Sequence, residues 1–258
     1  MSMFPLSNLR RYGMDGDHRH SLRIWLKWKE GRITHVLSQS RQRMVFPQCP
    51  SGPWGAVKVC LSGRGISGVL GDNEQVKAIR GAIGLMTAGG IDVVEPHYDL
   101  LLAEIRMPDC SGFSLHPITD TTRPLAEEWR AAYIREVLDM PGEDPAEKAR
   151  TDIAAYIAAD SHRFLFEGDN PVGFTGFNAT LPEVVQIGGV YTPPEQRSRG
   201  LARRAVALHL REAEGRGVSR AILSAASEKA SRAYQAIGFR RVGDFAYLMF
   251  AQPQVVHV

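Results

Sequence analysis

The sequence predicts an α+β protein with a mixed sheet, and three observations carry this prediction. Short apolar segments rich in β-branched residues alternate with longer segments whose apolar residues recur at helical spacing. Glycine, proline, asparagine and aspartate stand between these segments, as expected of turns. In residues 186–216 a strand, a break at Pro193 and Pro194, and a helix follow one another directly.

Length and composition limit the class of protein. The 258 residues are enough for one large or two ordinary domains. A hydrophobic content of 44% and a charged content of 23% are typical of a soluble globular protein, and the net charge of +3 is too small to indicate a nucleic-acid partner. No apolar run has the length of a signal peptide or a membrane span, and the three cysteines form no CxxC pair. We therefore expect a cytoplasmic protein, a monomer or homodimer, with no metal, no membrane partner and no nucleic acid.

The first half contains the elements of a small α+β domain, which we assign to residues 1–112. Residues 1–20 are expected to form a loosely held arm, and residues 39–54 a loop. The remaining predicted elements are a strand at 22–29 with a hairpin partner at 33–37, a strand at 56–61, a helix at 73–85 capped by Asn73, and an apolar segment at 98–105.

Residues 63–68 fit the GxGxxG pattern of dinucleotide sites, but their context does not. The third glycine of that pattern should lie in the first turn of a helix, with an acidic residue ending a strand about 20 residues later. Here further residues intervene before any helix, and residues 87–90 do not resemble a strand. A turn leading into a strand is the better interpretation.

The second half is assigned to a second domain, residues 113–258. The predicted elements are strands at 113–118, 163–166, 172–178, 184–191, 221–224 and 245–250, and helices after residue 122 and at 146–159, 199–216 and 228–237. On the first of these helices one side carries Leu125, Trp129, Ala132, Tyr133, Glu136 and Val137.

Residues 186–202 combine the ingredients of an anion-binding site. A strand leads through a short loop into the first turn of a helix, where backbone N–H groups are unpaired and the helix dipole is positive. Gly200 and Ala202 remove side-chain bulk where a phosphate would approach the backbone, and Arg197 and Arg199 add positive charge.

This stretch resembles the acetyl-CoA signature of the GNAT N-acetyltransferases. The family pattern is a strand that ends in an apolar triplet, followed by Arg/Gln-x-x-Gly-x-Gly/Ala opening a helix, and residues 190–202 follow it. A second segment, residues 231–239, is similar to the family's Ala-x-x-x-Tyr-x-x-x-Gly-Phe. The resemblance covers about residues 113–250 and implies a GNAT fold there. The sequence of residues 188–200 is similar to that of the glycine N-acyltransferase-like branch of the family.

The resemblance also implies roles for individual residues. Acetyl-CoA is the implied cosubstrate, bound through Val190, Tyr191, Thr192, Arg197, Ser198, Arg199, Gly200, Leu201, Ala202 and Ser231. Tyr234 matches the family's tyrosine, which protonates the departing thiolate, and an N–H near Val190 would bind the thioester oxygen. A base must deprotonate the amine, and Glu183 at the start of the strand is the first candidate. The family's asparagine six residues before the tyrosine is replaced by Glu228, so that contact is in question.

Two functions follow as expectations. The first is an N-acetyltransferase that moves an acetyl group from acetyl-CoA to a primary amine of a small molecule or amino acid by direct attack. The alternative is a regulatory acyl-CoA-binding module without turnover. The first half lacks the Arg-x-x-Gly-x-Ala pattern, and two interpretations of it stay open: a degenerate GNAT half or an unrelated α+β domain.

Overall fold

The computed structural model describes residues 3–85, 90–138 and 144–257. Its helices and strands are α1 (Phe4–Tyr12), β1 (Leu22–Lys29), β2 (Arg32–Ser40), β3 (Met44–Gln48), α2 (Trp54–Leu61), β4 (Gly65–Asp72), α3 (Asn73–Ile83), β5 (Gly90–Leu101), β6 (Phe113–Pro117), α4 (Arg123–Tyr133), α5 (Pro145–Ala158), β7 (His162–Glu167), β8 (Asn170–Thr180), β9 (Val184–Tyr191), α6 (Leu201–Glu214), β10 (Arg220–Ser224), α7 (Glu228–Ala236) and β11 (Arg240–Val255). Helix α4 continues as a π-helical turn, Ile134–Leu138. None of the helices in the described ranges is long and apolar enough to cross a membrane.

The chain divides into two compact units, each with a mixed sheet. The first unit is Met1–Glu95 with Gly243–Val258, and the second is Pro96–Val242. The strand order is β1-β2-β3-β4-β11 in the first unit and β5-β10-β9-β8-β7-β6 in the second. Strands β3 and β4 pair in parallel, as do β9 and β10, and the other neighbours are antiparallel. The predicted α+β class with a mixed sheet is confirmed.

Each unit contains a strand from the other half of the sequence. Residues 97–101 of β5 pair with β10, and residues 245–255 of β11 pair with β4. Tyr98 and Leu100 are accordingly in the core of the second unit, at 2% exposure each. The units therefore begin and end at other residues than the two domains assigned from the sequence, and separate folding of 1–112 and 113–258 stays a prediction.

The sheet of the second unit is covered on both faces. On one face, Trp129 of α4 and Ile153 of α5 form a core with Tyr191 of β9, which we call the α4/α5 face. On the other, helices α6 and α7 form a core with Ile187 of β9, which we call the α6/α7 face. Ile187 and Tyr191 are an even number of residues apart and would share a face in a regular strand. They do not, because β9 has an extra residue opposite β8.

Gly189 is at this irregularity of β9. Gly176 and Phe174 of β8 are two residues apart, but their partners Gly188 and Tyr191 are three apart. Such a bulge needs an unusual backbone conformation, and Gly189 has a φ of 65°. Of the two glycines that interrupt the apolar pattern of β9, Gly189 is thus explained by a bulge that turns the end of the strand.

Several predicted elements agree with the structure. The strand at 22–29 has the predicted bounds, and the predicted strands at 113–118 and 184–191 correspond to β6 and β9. The turn at 63–68 leads into β4, as expected, and no helix begins there.

Two predictions in the first half were wrong because tertiary packing overrides local preference. Residues 56–61 are helical, in α2, and their alternation of valines does not mark a strand: Val57 and Leu61 are four residues apart on the buried side of the helix. The loop predicted at 39–54 contains β3, whose residues 44–47 are buried. The polar and proline-rich flanks of this segment masked a short central strand.

The expectation of an unstructured arm was also wrong. Residues 4–12 form α1, and Phe4 and Leu9 pack against a small core of Leu22, Met44 and Phe46. The cap of α3 is Asp72 rather than Asn73, because the Asp72 carboxylate accepts a hydrogen bond from the Gln75 N–H at 3.2 Å.

Candidate functional site

The gap between β9 and β10 is the first feature of the candidate site. These parallel strands pair only over Val184–Gln186 of β9 and Arg220–Ile222 of β10. Beyond Gln186, β9 continues to Tyr191, where its backbone on this side is left without the ladder partner that a parallel sheet provides. An extended ligand could hydrogen-bond to this edge of the strand.

The loop after β9 presents the start of α6 at the same end of the gap. Ser198 and Gly200 both have left-handed conformations, with φ of 69° and 74°. The sequence pattern placed the opening of this helix at Arg197, but helix α6 begins four residues later, at Leu201. The first N–H groups of this 14-residue helix have no acceptor within the helix, so Leu201 and Ala202 present backbone donors at its positive end.

Gly200 is required by its surroundings as well as by its conformation. A Cβ there would lie 2.9 Å from Nε of Arg203 and 3.2 Å from Nη1 of Arg204. The Nε atom of Arg203 is buried and lacks a hydrogen-bond partner among the described residues. This arrangement puts a guanidinium group next to the backbone donors at the start of α6.

The two arginines predicted to bind the cofactor phosphates each form an ion pair with a glutamate. Arg197 donates from Nε to the Thr192 carbonyl at 3.0 Å and forms an ion pair with Glu136. Arg199 binds both carboxylate oxygens of Glu167, at 2.9 and 2.7 Å. These contacts hold the loop in place, and they leave less of the guanidinium charge for a ligand.

Lys229 supplies positive charge that the sequence analysis did not assign. It lies in the first turn of α7, and its Nζ donates to Oγ of Ser198 at 3.0 Å. Ser227 caps the same helix by accepting a hydrogen bond from the Ala230 N–H at 3.2 Å. The start of α7 therefore meets the loop at the start of α6. The signal for this positive charge in the sequence was the lysine directly after Glu228.

Tyr234 is in the core of the α6/α7 face, together with Val190 and Ala225. Its side chain is 7% exposed and its ring makes an edge contact with Phe239, with centroids 6.1 Å apart. Ser231 is one turn earlier on the same side of α7 by helical spacing. Tyr234 and Val190 thus both belong to the core of the α6/α7 face, and their roles stay predictions.

The side chain of Tyr191 points away from the gap. It packs on the α4/α5 face, and its hydroxyl donates to Glu136 at 3.4 Å. Burial, followed by the Glu136 carboxylate, raises the pKa of the Tyr191 phenol. Of Tyr191, only the backbone is therefore available to a ligand in the gap.

Glu183 directly precedes β9, at the end of the strand that is paired with β10. It is exposed, and its carbonyl accepts hydrogen bonds from the N–H groups of Ser219 and Arg220 where β10 begins. Seven residues separate it from Val190, or about 23 Å at roughly 3.3 Å per residue. The sequence placed Glu183 near the chemistry because it begins the strand, but the gap opens at the other end.

Glu136 is the carboxylate that the structure brings to the end of β9. It lies in the π-helical turn after α4, where it contacts Arg197 and Tyr191. Its side chain is 38% exposed, so water can reach it. The signal in the sequence was a charged residue on the otherwise apolar side of this helix.

A buried histidine fills the space behind the bulge of β9. His162 stacks on Tyr156 with ring centroids 3.5 Å apart, and its Nδ1 is 2.9 Å from Oγ of Ser161. Burial, then the neighbouring His209, Arg130 and Arg163, lowers its pKa far below the usual range. A Cβ on Gly176 would lie 2.0 Å from its ring, and one on Gly189 would lie 3.1 Å from its Nε2. Glycine is needed at both positions to admit the imidazole.

The comparisons with known proteins agree with this geometry. Residues 124–239 match the model of the acetyltransferase (GNAT) family. Among curated proteins, none matches the chain by sequence. A GCN5-related N-acetyltransferase from Kribbella flavida is 14% identical, with a TM-score of 0.58, and the match covers 89% of each chain.

Two further solved structures are similar over most of both chains. A GNAT-family acetyltransferase from Colwellia psychrerythraea is 10% identical with a TM-score of 0.57, and the match covers 97% of each chain. A tandem GNAT protein from the clavulanic acid biosynthesis pathway is 13% identical with a TM-score of 0.53, covering 96% of this chain and 87% of the other. The chain therefore has the GNAT fold, and the residues that match the acetyltransferase (GNAT) family lie within its second unit.

Proposed function

We propose that the chain transfers an acetyl group from acetyl-CoA to a primary amine of a small molecule or an amino acid. The observation that carries this proposal is that three features meet at one end of β9. These are the open edge of the strand, the start of α6 and the buried face of α7 with Tyr234. The similarity to the glycine N-acyltransferase-like branch supports an amine or amino acid as the acceptor.

The start of α6 would hold the pyrophosphate of the cosubstrate. Backbone donors of Leu201 and Ala202, the helix dipole and the charges of Arg203 and Lys229 are all favourable for an anion there. Gly200 leaves the backbone accessible. The pantetheine arm would then follow the unpaired edge of β9 toward Val190.

Two groups would act on the thioester at Val190. A backbone N–H at Val190 or Tyr191 would stabilise the developing charge on the carbonyl oxygen. The amine attacks the carbonyl carbon, the bond to sulfur breaks, and Tyr234 gives its proton to the departing thiolate. Its phenol carries an O–H that can donate this proton.

Glu136 replaces Glu183 as the proposed proton acceptor for the amine. A free ammonium group has a pKa near 10 and must lose a proton before attack. Glu136 is near the end of β9 and within reach of water, which can relay the proton. Its ion pair with Arg197 connects the side of the site where the amine would bind to the loop that precedes α6.

We also propose that the first unit is a degenerate GNAT half. Its elements β1-β2-β3-α2-β4-α3 repeat the order of β7-β8-β9-α6-β10-α7, and the third and fourth strands of each set pair in parallel. The tandem GNAT structure, which matches 96% of the chain, supports this proposal. Helix α2 has eight residues against the 14 of α6, and its N-cap is Pro53 where α6 has Gly200.

An acceptor screen tests the function. The full chain is incubated with acetyl-CoA and a panel of amino acids and small amines, and the release of free thiol is followed. We expect release that depends on one class of amine and that is lost in Tyr234→Phe. Binding of acetyl-CoA without release for any amine would instead indicate the regulatory acyl-CoA-binding module.

The same assay distinguishes the two carboxylates. Glu136→Gln should lower turnover about 10²-fold, because it removes the proposed proton acceptor. Glu183→Gln should leave turnover unchanged. A loss in Glu183→Gln with normal turnover in Glu136→Gln would restore the role first assigned to Glu183.

A further inference from the structure

A cavity of about 330 Å³ in the first unit concentrates positive charge. Four arginines line it, namely Arg23, Arg41, Arg43 and Arg64. They come from three separate parts of the sequence, β1, the turn between β2 and β3, and the residue before β4. The unit therefore folds so that like charges converge on one space, which is costly unless an anion offsets their repulsion.

Only half of this charge is neutralised by the protein. Arg23 pairs with Asp15 and Arg41 with Asp17, each at 3.1 Å. Within the described residues, Arg43 and Arg64 form no ion pair. Four guanidinium groups against two carboxylates leave two positive charges facing the cavity.

The two unpaired arginines are held in place by other contacts. Arg64 donates from Nε to the Cys60 carbonyl at 3.1 Å and stacks on the Trp25 ring at 5.1 Å, which leaves its terminal nitrogens for a ligand. Arg43 has a left-handed backbone with φ of 70°. A Cβ on Gly65 would lie 3.1 Å from Cδ of Arg43, so the glycine makes room for this side chain.

The floor of the cavity is polar and buried. Gln39 and Ser40 are 6% and 4% exposed, and both line the space. Gln39 donates to the Gly65 carbonyl at 3.0 Å, and the hydroxyl of Ser40 accepts from the Met44 N–H at 3.1 Å. These hydrogen bonds hold Gln39 and Ser40 in place, so this part of the cavity is preformed.

We propose that this cavity binds a small dianion that carries a phosphate group. A phosphate monoester has a charge close to −2 at neutral pH, which matches the two unpaired guanidinium groups. Guanidinium forks bind phosphate oxygens in pairs, and the volume is at the lower end of the range for small-ligand pockets. Residues 63–65 take part through the turn into β4, not as a dinucleotide motif.

Calorimetry on the full chain tests the proposal, with ribose 5-phosphate and inorganic phosphate as probes and ribose and succinate for comparison. The protein is first saturated with acetyl-CoA, so that the start of α6 is occupied. We expect saturable binding of the two phosphates and no comparable binding of ribose or succinate. Succinate binding as tight as that of ribose 5-phosphate would overturn the phosphate assignment, and no binding of either phosphate would overturn the site.

Charge variants locate the site. Arg43→Asn keeps a residue that tolerates the left-handed conformation, and Arg64→Gln keeps a polar side chain of similar reach. Each should weaken ribose 5-phosphate binding at least about tenfold, with thermal melts confirming that the variant is folded. Arg32→Gln is the matched control, because Arg32 is exposed at the other end of β2. An equal loss of affinity in Arg32→Gln would show that binding depends on the general positive charge of the protein and not on this cavity. That result would overturn the proposal.

Discussion

At the scale of single residues, the candidate site depends on glycines, at which a side chain would clash with its neighbours, as much as on the functional side chains. Gly200 stands where a Cβ would meet Arg203, and Gly176 and Gly189 stand where one would meet His162. Arg197 and Arg199, which suggest a phosphate site by their charge alone, are mainly used to hold the loop. Two predictions test residues at opposite ends of the proposed cosubstrate.

Tyr234→Phe should lower the turnover number by about 10²-fold or more and leave acetyl-CoA affinity little changed. The phenyl ring keeps the edge contact with Phe239 and its place in the core, and the hydroxyl group with its proton is lost. Steady-state kinetics with the best amine and calorimetry with acetyl-CoA measure the two effects. Turnover at the parent rate would leave water as the proton donor.

Gly200→Val should weaken acetyl-CoA binding at least tenfold, or about 1.4 kcal/mol. The substitution forces a β-branched residue into a left-handed conformation and places a Cβ 2.9 Å from Arg203. Gly215→Val, at the other end of α6, is the control, since Gly215 has a φ of −61° and ordinary contacts. Unchanged affinity in a folded Gly200→Val protein would remove this role of the loop.

At the scale of elements, β9 explains why the site is where it is. Its bulge at Gly189 turns Tyr191 to the α4/α5 face, and its pairing with β10 stops at Gln186. Helix α6 packs behind the strand through buried residues that include His209, whose ring stacks on Phe177 of β8 with centroids 3.8 Å apart. This histidine makes the packing of α6 sensitive to acid.

The free energy of unfolding should fall as the pH is lowered from about 6.5 toward 3. Burial, followed by Arg163 and Arg216, lowers the pKa of His209 from 6.5 to about 3, although Asp160 opposes this. Between these values the unfolded chain binds the proton and the folded chain does not, so acid favours unfolding by up to about 1.4 kcal/mol per pH unit for this group. The contribution of the neutral His209 side chain to the free energy of unfolding is fully present above pH 6.5 and is lost progressively as the pH falls from there toward 3.

Chemical denaturation at several pH values measures this slope. His209→Phe keeps a ring against Phe177 and removes the titrating group, so its slope between pH 6.5 and 4 should be smaller. His257→Phe, at an exposed position near the C-terminus, should keep the parent slope. An unchanged slope in His209→Phe would mean that other groups, such as buried His162, carry the whole effect.

At the scale of the whole molecule, the chain order and the compact units do not coincide. Strand β10 pairs with residues 97–101, which precede the segment assigned to the second domain. Tyr98, Leu100 and Leu102 are each at most 2% exposed in the core of the second unit. A fragment that begins at residue 113 loses all three.

The fragment 113–258 should therefore be much less stable than the fragment 96–242. Removing three buried side chains costs about 1.5–3 kcal/mol each, against a total stability of roughly 5–15 kcal/mol for a domain. Urea denaturation followed by circular dichroism compares the two fragments with the full chain. Equal midpoints for the two fragments would show that residues 97–102 are dispensable, and would support the domains assigned from the sequence.

The sequence by itself determined the class of fold and the strand and helix on either side of the loop at 192–200. These follow from local patterns: β-branched runs, helical spacing, and glycines where backbone must be approached. The strand predicted at 56–61 is a helix, because Val57 and Leu61, four residues apart, are buried on one side of it while Val59 is exposed.

Only the tertiary structure decided which residues meet. It put Glu183 at the far end of β9, brought Glu136 and Lys229 to the near end, and joined four arginines from distant segments around one cavity. It also gave each unit a strand from the other half of the sequence. Such contacts depend on pairing register and on the order of strands in a sheet, which are set by packing between distant segments and leave no local trace in the chain.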